Sequence, residues 1–420
     1  MKESMDDTGS KPMNSANNRP MEGLKILDFT HVLAGPFATR ILADMGADVV
    51  KINSVDRAVS ANEPAHPYYL MWNRNKRALA LDLTQQASRT LCAKLCREAD
   101  VVIDNFSVGV LDRWGLGYNT ISKDNAGVVY VQMSGMGEGG PWEKFVTYAP
   151  TIQALSGLTH LTGVPGRENI GLGFSYNDHQ AGLHGAVALL AALEARRNTG
   201  RGQRVDLSQF EVGVNFTGPT LLDYFANDVK ARATGNRLPY DDAAPHGCYR
   251  CAGAVSEALV DERWVAIACM NDQQWQAFKT LMGNPQWAED PALTLAAGRV
   301  AQIDLIDREV GHWTAQYSAE DIMQRCQHAG VPAGVVQNGI DLVESDPQLQ
   351  HSDFLKTIGD DHPRVGTTYA DSLPLHFQQT PCEDYQRVRE VGEDNEAVLK
   401  DWLAMSDAEI KAAADADLLR

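Results

Sequence analysis

Residues 24–52 read LKILDFTHVLAGPFATRILADMGADVVKI, and this stretch decides the fold. Residues 24–29 and 48–52 are apolar runs with the length and composition of buried strands. Between them, Pro36 suits the first turn of a helix and Gly46 suits its end. A strand, a helix and a second strand within 29 residues predict two parallel strands joined by a right-handed crossover.

The same alternation continues along the chain. Residues 85–98 are typical of a helix, and a long helix is predicted from about Asp178 to Arg197, with Gly200 just beyond its end. Further stretches are typical of strands, namely residues 78–83, 100–104 and 127–133. Alternating strands and helices predict an α/β fold with a doubly wound, mostly parallel sheet.

The domain organisation is predicted from changes in composition along the chain. Residues 1–20 are polar and lack apolar periodicity, which indicates a disordered tail. Residues 21–225 and 340–420 are predicted to form one large Rossmann-like domain from both ends of the chain. Residues 230–335 are predicted to form a smaller α+β domain, since strand-like residues 248–270 lie within it.

Composition and charge exclude several classes of function. The 420 residues carry a formal net charge of -18, which argues against binding to nucleic acid or to anionic lipid. The longest apolar stretch, residues 186–193, is far shorter than the roughly 20 residues of a membrane span. Seven scattered cysteines and the absence of a signal-peptide pattern predict a cytoplasmic protein with reduced thiols.

A glycine-rich stretch, residues 135–140, follows an apolar run and matches the pattern G-x-G-x-x-G of dinucleotide-binding proteins. Pro141 and Trp142 follow instead of an amphipathic helix, and no acidic residue ends a strand about 20 residues later. We therefore interpret the glycines as a tightly turned or mobile loop. A nicotinamide-dependent dehydrogenase remains a remote alternative.

Cys248 and Cys251 lie close to His246 and resemble half of a zinc site or a redox pair. A structural zinc site takes four ligands in two paired groups, and Cys269 has no partner at pair spacing. The sequence therefore predicts no metal site.

Asp178 lies at the predicted start of the long helix, within residues 174–181, FSYNDHQA. A carboxylate there is stabilised by the free N–H groups of the helix N-terminus, so a plain N-cap is one interpretation. A carboxylate nucleophile that attacks an acyl carbon is the other. His179 and His184 are candidates for assisting it or for packing.

Asn105 and Phe106 follow a predicted strand, and Arg113 lies eight residues farther along. At the carboxyl end of a parallel sheet, an amide, an aromatic ring and a guanidinium suit a nucleotide, because the ring packs on a base and the guanidinium binds phosphate. The alternative is a surface ion pair between Arg113 and Asp112.

Seven stretches in order resemble the class III (family III) CoA-transferases, the group that contains formyl-CoA and carnitine CoA-transferases. The resemblance extends from Met21 to Asn395, nearly the whole chain. The stretches are residues 27–36, 43–52, 75–77, 104–106, 133–141, 199–205 and 330–334.

The resemblance implies a function and a set of site residues. The family's nucleophilic aspartate falls on Asp178, which would form a mixed anhydride with the acyl group and then a thioester with coenzyme A. The implied coenzyme A pocket comprises Val32, Ala34, Leu81, Asn105, Phe106, Arg113 and Tyr148.

The resemblance also implies partners. Two subunits would interlock as a homodimer, and the small-molecule partners would be an acyl-CoA and a carboxylic acid. No metal and no cofactor beyond coenzyme A would be needed.

The chain departs from the family at several positions. Leu33 stands where formyl-CoA transferase has a glutamine, and Asn53 and Ser54 replace an acidic residue and a phosphate-contacting arginine. Residues 246–253 replace that enzyme's glycine-only loop, so Gly247 becomes the candidate for a mobile element.

The α-methylacyl-CoA racemases share this fold and use a histidine paired with an aspartate. Residues 147–149, Thr-Tyr-Ala, fall at the corresponding positions here, so the racemase base is missing. A tyrosine of ordinary pKa is a poor base at neutral pH. An acyl-CoA isomerase, or a lyase coupled to CoA transfer, remains the alternative within the fold.

Overall fold

A six-stranded parallel sheet forms the centre of the computed structural model, which describes residues 19–239, 243–253 and 262–420. Its strands are β1 Lys25–Asp28, β2 Asp48–Asn53, β3 Arg77–Ala80, β4 Val101–Asp104, β5 Val129–Gln132 and β6 Arg204–Asp206. The strand order is β3-β2-β1-β4-β5-β6, which is the order of a doubly wound Rossmann-like sheet. The predicted α/β class and parallel sheet are confirmed. Residues 1–18 of the predicted tail lie outside the described residues.

Both faces of the sheet are buried, which explains the nearly continuous apolar strands. On β1, Leu27 belongs to the core on one face and Ile26 to the core on the other, and neither is exposed to solvent. Successive side chains of a strand point to opposite faces, so a strand covered on both sides must be apolar throughout. Val101 and Val102 divide between the two cores in the same way.

Some of the helices pack against this sheet. The part of the chain that the structure describes forms α1 Ala34–Asp44, α2 Pro67–Trp72, α3 Gln86–Glu98, α4 Val110–Arg113, α5 Tyr118–Asp124, α6 Ala149–Leu155, α7 Leu158–Leu161, α8 Tyr176–Thr199, α9 Gln209–Phe216, α10 Gly218–Asn227, α11 Asp272–Leu281, α12 Ala296–Ala301, α13 Ile303–Thr314, α14 Ala319–His328, α15 Pro347–His351, α16 Asn395–Leu403 and α17 Asp407–Asp415. None of these helices is long and apolar enough to cross a membrane.

The chain folds into two compact units. The described residues of the first lie within Met1–Leu158, Leu172–Leu222 and His351–Arg420, and those of the second within Thr159–Gly171 and Asp223–Gln350. In the first unit α16 returns to the central sheet, where Trp402 Nε1 donates a hydrogen bond to Asp48 Oδ2 at 2.8 Å.

The second unit contains a small antiparallel sheet. Its strands are β7 His246–Arg250, β8 Trp264–Ala268 and β9 Ala333–Val335, in that order across the sheet. Residues 254–261 of the predicted strand-like stretch 248–270 lie outside the described residues. A two-stranded antiparallel sheet of β10 Leu355–Thr357 and β11 Tyr369–Asp371 follows in the first unit.

Helix α8 packs directly on α1 because glycines lie at the contact. A Cβ atom on Gly182 would lie 2.8 Å from the Ala34 carbonyl oxygen and 2.8 Å from the Phe37 ring. One turn on, a Cβ atom on Gly185 would lie 2.8 Å from Met133 Sδ. Gly182 therefore lets α8, which carries Asp178, approach the N-terminal turn of α1, and Gly185 lets it approach Met133 after β5.

This close approach gives a stability prediction. We expect Gly182→Ala to lower the free energy of unfolding by roughly 1–3 kcal/mol, because backbone must move to admit the methyl group. The matched control is Gly311→Ala on α13, where an added Cβ meets nothing within 4 Å. This control should be neutral or stabilising by up to about 1 kcal/mol, from helix propensity. Urea unfolding midpoints compare the two, and equal midpoints would rule out the tight contact.

Candidate functional site

The strand order reverses between β1 and β4, and the loops that follow these two strands are held together there. The His31 N–H donates to Asn105 Oδ1 at 2.7 Å, and Asn105 Nδ2 donates to the His31 carbonyl oxygen at 2.8 Å. Ligands of open α/β sheets bind at this edge, in the crevice outside the carboxyl ends of the strands. The Asn105 amide therefore fixes both walls of the expected site.

A cavity of about 390 Å³ opens at this edge of the sheet. It is lined by five residues that the sequence analysis selected, namely Val32, Asn105, Phe106, Tyr148 and Asp178. Other lining residues were not selected, among them His31, Ser134, Glu143, Ser175 and Gln209. Positions up to 178 residues apart in sequence, His31 and Gln209, thus line one cavity with the Asp178 carboxylate.

Asp178 is the third residue of α8, and its helix begins two residues earlier than predicted. The N-cap position belongs to Ser175, so the interpretation of Asp178 as an N-cap is wrong. The carboxylate still lies in the first turn, where the helix dipole favours an anion.

The Asp178 carboxylate is desolvated. No hydrogen bond from any described residue reaches its buried Oδ2 atom. Burial raises the pKa of Asp178 to about 6, although its own backbone N–H opposes the shift. A carboxylate that is ionised at neutral pH but poorly solvated is a suitable nucleophile.

His179 and His184 follow Asp178 on α8 but contribute to packing. The His179 ring lies against Phe37 and Trp72, with centroids 5.4 and 5.1 Å apart, and its Nδ1 bonds to the Ser175 carbonyl oxygen at 2.8 Å. His184 Nδ1 bonds to the carbonyl oxygen of Gln180, and its ring lies against that of Phe216. Neither histidine lines the cavity.

The remaining predicted site residues lie elsewhere. Ala34 is buried at the start of α1, and Leu81 lines a second cavity beside Phe106. Arg113 is an exposed residue of α4 and lines neither cavity. Gly247 lies within β7, opposite Ile267 of β8, so residues 246–250 form a paired strand and not the predicted loop.

His31 was missed by the sequence analysis although it stands beside Val32 in the same motif. Its ring lies 5.2 Å from that of Phe106, and no hydrogen bond from the described residues reaches its buried Nδ1. Burial, followed by repulsion from Lys51 and Arg57, lowers the pKa of His31 to about 3. The imidazole is therefore neutral at physiological pH, and His31 lines both cavities.

A buried charged cluster lies beneath the loop that carries His31. Both Asp28 carboxylate oxygens accept hydrogen bonds, from the Thr30 N–H at 2.8 Å and from Lys76 Nζ at 3.1 Å. Lys51 Nζ lies 3.5 Å from Asp28 and donates to the Thr30 carbonyl oxygen. These contacts hold the loop in place by its backbone.

The next residue of this loop, Val32, has a strained backbone. Its φ of +66° lies in the left-handed region, which is costly for a β-branched side chain. The Val32 N–H donates to Asn62 Oδ1 at 3.1 Å, which helps to hold this conformation. Such strain persists where surrounding contacts enforce it, commonly at binding sites.

The glycine-rich loop after β5 is a tight turn. Gly137, Gly139 and Gly140 all have positive φ, between +78° and +89°. The N–H groups of Glu138 and Gly139 each donate to a carboxylate at 2.9 Å, those of Asp206 and Glu143. These carboxylates would repel a pyrophosphate, so the loop lacks the character of a dinucleotide site.

Two residues at the end of β2, Asn53 and Ser54, were predicted to differ from formyl-CoA transferase, and the structure encloses both. Asn53 and Ser54 are buried, and Asn53 Oδ1 accepts a hydrogen bond from the Ser54 N–H at 2.9 Å.

Within the described part of the chain, no group of three or more His, Cys, Asp or Glu side chains is arranged to hold a metal ion. Cys248 and Cys251 are free thiols.

Comparison with known proteins identifies relatives that cover nearly the whole chain. The family model described as CoA-transferase family III matches residues 21–395. The succinyl-CoA–L-malate CoA-transferase alpha subunit of Chloroflexus aurantiacus is 27% identical over 416 residues, covering 96% of this chain and 94% of that protein. The formyl-CoA:oxalate CoA-transferase of Streptomyces coelicolor is 28% identical over 404 residues, covering 94% of this chain and 97% of its own.

The fold has a close counterpart among solved structures. The crystal structure of a CAIB/BAIF family protein from Brucella suis superposes with a TM-score of 0.81 and 28% sequence identity. The superposition covers 92% of this chain and 100% of that one.

Proposed function

Because the chain belongs to CoA-transferase family III, and is therefore an enzyme that transfers coenzyme A, we propose that Asp178 is its nucleophile. The proposal rests on the buried Oδ2 of Asp178, to which no described residue donates a hydrogen bond, in the cavity where the strand order reverses. The substrates are an acyl-CoA donor and a carboxylic acid acceptor. The related enzymes named above transfer CoA between small acids of this kind.

The first half of the reaction moves CoA onto the enzyme. An Asp178 oxygen attacks the thioester carbonyl, the carbon–sulfur bond breaks, and a mixed anhydride and the CoA thiolate result. The thiolate then attacks the carbonyl carbon of Asp178. The donor acid leaves as a carboxylate, and Asp178 becomes a CoA thioester.

The second half reverses these steps with the acceptor. The acceptor carboxylate attacks the aspartyl thioester and releases the thiolate, which then attacks the acceptor's acyl carbon and frees Asp178. No net proton is gained or lost. Each acyl intermediate must be kept from water, which suits a nucleophile recessed in a cavity and not one on the surface.

We further propose that the CoA-binding residues are those that the resemblance implied. Phe106 and Asn105 form the cavity wall at the switch point, Val32 and Tyr148 line the same cavity, and Leu81 lines its neighbour. Ala34 lies at the N-terminal turn of α1, next to this wall. Arg113 offers an exposed guanidinium for phosphate.

We also propose that two copies of the chain associate as an interlocked homodimer. Helices α8 and α10 expose large apolar side chains, with Val187 66%, Leu222 69% and Phe225 80% accessible. Leu222 and Phe225 are three residues apart on α10 and so share one face of that helix. Exposed apolar side chains on one face are typical of surfaces that bind a protein partner.

Chemical trapping tests the covalent step. Incubation with succinyl-CoA or acetyl-CoA in the absence of an acceptor, followed by hydroxylamine, should convert Asp178 to a hydroxamate that peptide mass spectrometry locates. Protein treated with hydroxylamine alone is the control and should stay unmodified. If the enzyme transfers CoA but the hydroxamate forms on another carboxylate, Asp178 is not the nucleophile.

A further inference from the structure

A second cavity, of about 70 Å³, lies beside the Asp178 cavity. Residues at the carboxyl ends of β2 and β3 line it, among them Asn53 and Leu81. His31 and Phe106 line both cavities. A ligand that extends from Asp178 past Phe106 therefore enters the second cavity.

Arg57 lies at this second cavity, in a single 3-10 turn formed by Val55–Arg57. Its guanidinium carbon lies 5.8 Å from the centroid of the Phe106 ring and 5.3 Å from that of Trp114. Both distances are those of cation–π contacts. A guanidinium held by its face keeps its N–H donors, which point outward in the plane, free for an anion.

The charge of Arg57 is not neutralised by an ion pair within residues 19–239, 243–253 and 262–420. No carboxylate of the described residues forms an ion pair with it, whereas Arg77, for example, pairs with Asp48 and Asp401 at 2.5 and 2.7 Å. An unpaired arginine beside a binding cavity is available to a negatively charged ligand.

Two carboxylates also line this cavity, and both have partners. Asp56 lies 3.4 Å from Nη2 of Arg420. Asp82 accepts hydrogen bonds from the Thr84 hydroxyl at 2.6 Å and from Gln85 Nε2 at 3.0 Å. Their charges are thus partly compensated, which leaves Arg57 as the group that meets an incoming anion.

We propose that Arg57 binds a phosphate group of coenzyme A, either the 3′-phosphate or the diphosphate. The inference rests on the proposed function, since it takes Asp178 to mark the thioester end of the ligand. The aromatic contacts hold the planar guanidinium in one orientation, which suits paired hydrogen bonds to phosphate oxygens.

Titration calorimetry with three ligands tests this role without relying on turnover. Coenzyme A carries the 3′-phosphate and the diphosphate, dephospho-CoA carries only the diphosphate, and pantetheine carries neither. Arg57→Ala should weaken CoA binding about tenfold or more, as expected for lost hydrogen bonds to a charged group, and leave pantetheine binding unchanged.

The ligand series also separates the two phosphate sources. If Arg57 contacts the 3′-phosphate, the variant loses the preference of the unmodified enzyme for CoA over dephospho-CoA. If Arg57 contacts the diphosphate, the variant's affinities for CoA and for dephospho-CoA fall by the same factor. Arg57→Lys keeps the positive charge but loses the planar guanidinium, so its CoA affinity should lie between those of the unmodified enzyme and Arg57→Ala. This second variant keeps the test valid if Arg57→Ala folds poorly.

The matched control is Arg97→Ala, at an exposed arginine of α3 that pairs with Asp124 and lines neither cavity. It should bind all three ligands as the unmodified enzyme does. Unchanged CoA and dephospho-CoA affinity in Arg57→Ala would overturn the phosphate role and leave the Asp178 proposal standing. If hydroxylamine does not label Asp178 but Arg57→Ala still binds CoA more weakly, Asp178 is not the nucleophile and the phosphate role of Arg57 stands.

Discussion

Replacing Asp178 by asparagine should lower the rate of CoA transfer by at least about a thousandfold, because a nucleophile removed from a covalent pathway has no substitute. Asparagine matches the carboxylate in size, so the packing of the first turn of α8 should be preserved. CoA affinity, measured by calorimetry, should stay within about twofold of the unmodified enzyme, since the phosphates and the base bind elsewhere.

The matched control for this variant is Asp407→Asn. Asp407 also lies in the first turn of a helix, α17, but it is exposed and lines neither cavity. The Asp407→Asn variant should transfer CoA at the rate of the unmodified enzyme. Asp178→Ala, which cannot revert to aspartate by deamidation, should match Asp178→Asn, and ordinary turnover by both variants would remove Asp178 from the mechanism.

Replacing Asp28 by asparagine should lower the free energy of unfolding by about 3–5 kcal/mol. The carboxylate is fully buried between Lys51 and Lys76, which are also buried. Burial raises the pKa of Asp28, but the two lysines and the hydroxyls of Thr30 and Thr39 together lower it well below its ordinary value. Asparagine would leave two buried ammonium groups without a counter-charge.

The deficit should depend on pH in a defined direction. Burial lowers the pKa of Lys76 to about 7, and Asp28 opposes that shift, so its loss lowers the pKa further. The variant therefore loses more stability below pH 7, where Lys76 is charged in the unmodified protein. The part of the deficit due to Lys76 is lost as the pH rises through 7.

Urea unfolding at pH 6 and pH 9 measures both effects. Asp124→Asn serves as the control, because Asp124 forms an exposed ion pair with Arg97, and such pairs contribute only about 0–1 kcal/mol. An Asp28→Asn midpoint equal to that of the control would show that the buried cluster does not stabilise the fold.

Local pattern was sufficient for the central elements of the fold. The apolar runs 24–29 and 48–52 became β1 and β2, and Gly46 adopts the positive φ, +100°, that a helix-terminating glycine takes. The start of α8 was misplaced by two residues, because the first turn of a helix lacks backbone partners and its boundary depends on neighbouring contacts.

The candidate site was predictable only where a motif marked it. Asp178, Asn105 and Phe106 line one cavity, as expected for residues at strand and helix ends. The sequence did not point to His31, because its neutral state results from burial and from cations such as Lys51 that the fold brings near it. It did not point to Arg57 either, because the contact of Arg57 with the Phe106 ring joins residues that are distant in sequence.

The sequence by itself determined the α/β class, the family and the identity of the candidate nucleophile, because periodicity and motifs are local and survive without coordinates. The tertiary structure decided which of the candidate residues share a cavity, and it alone revealed that Asp178 Oδ2 is desolvated and that Gly247 lies in a strand. Burial and electrostatics depend on all neighbours at once, and those neighbours are assembled only when the strands pair.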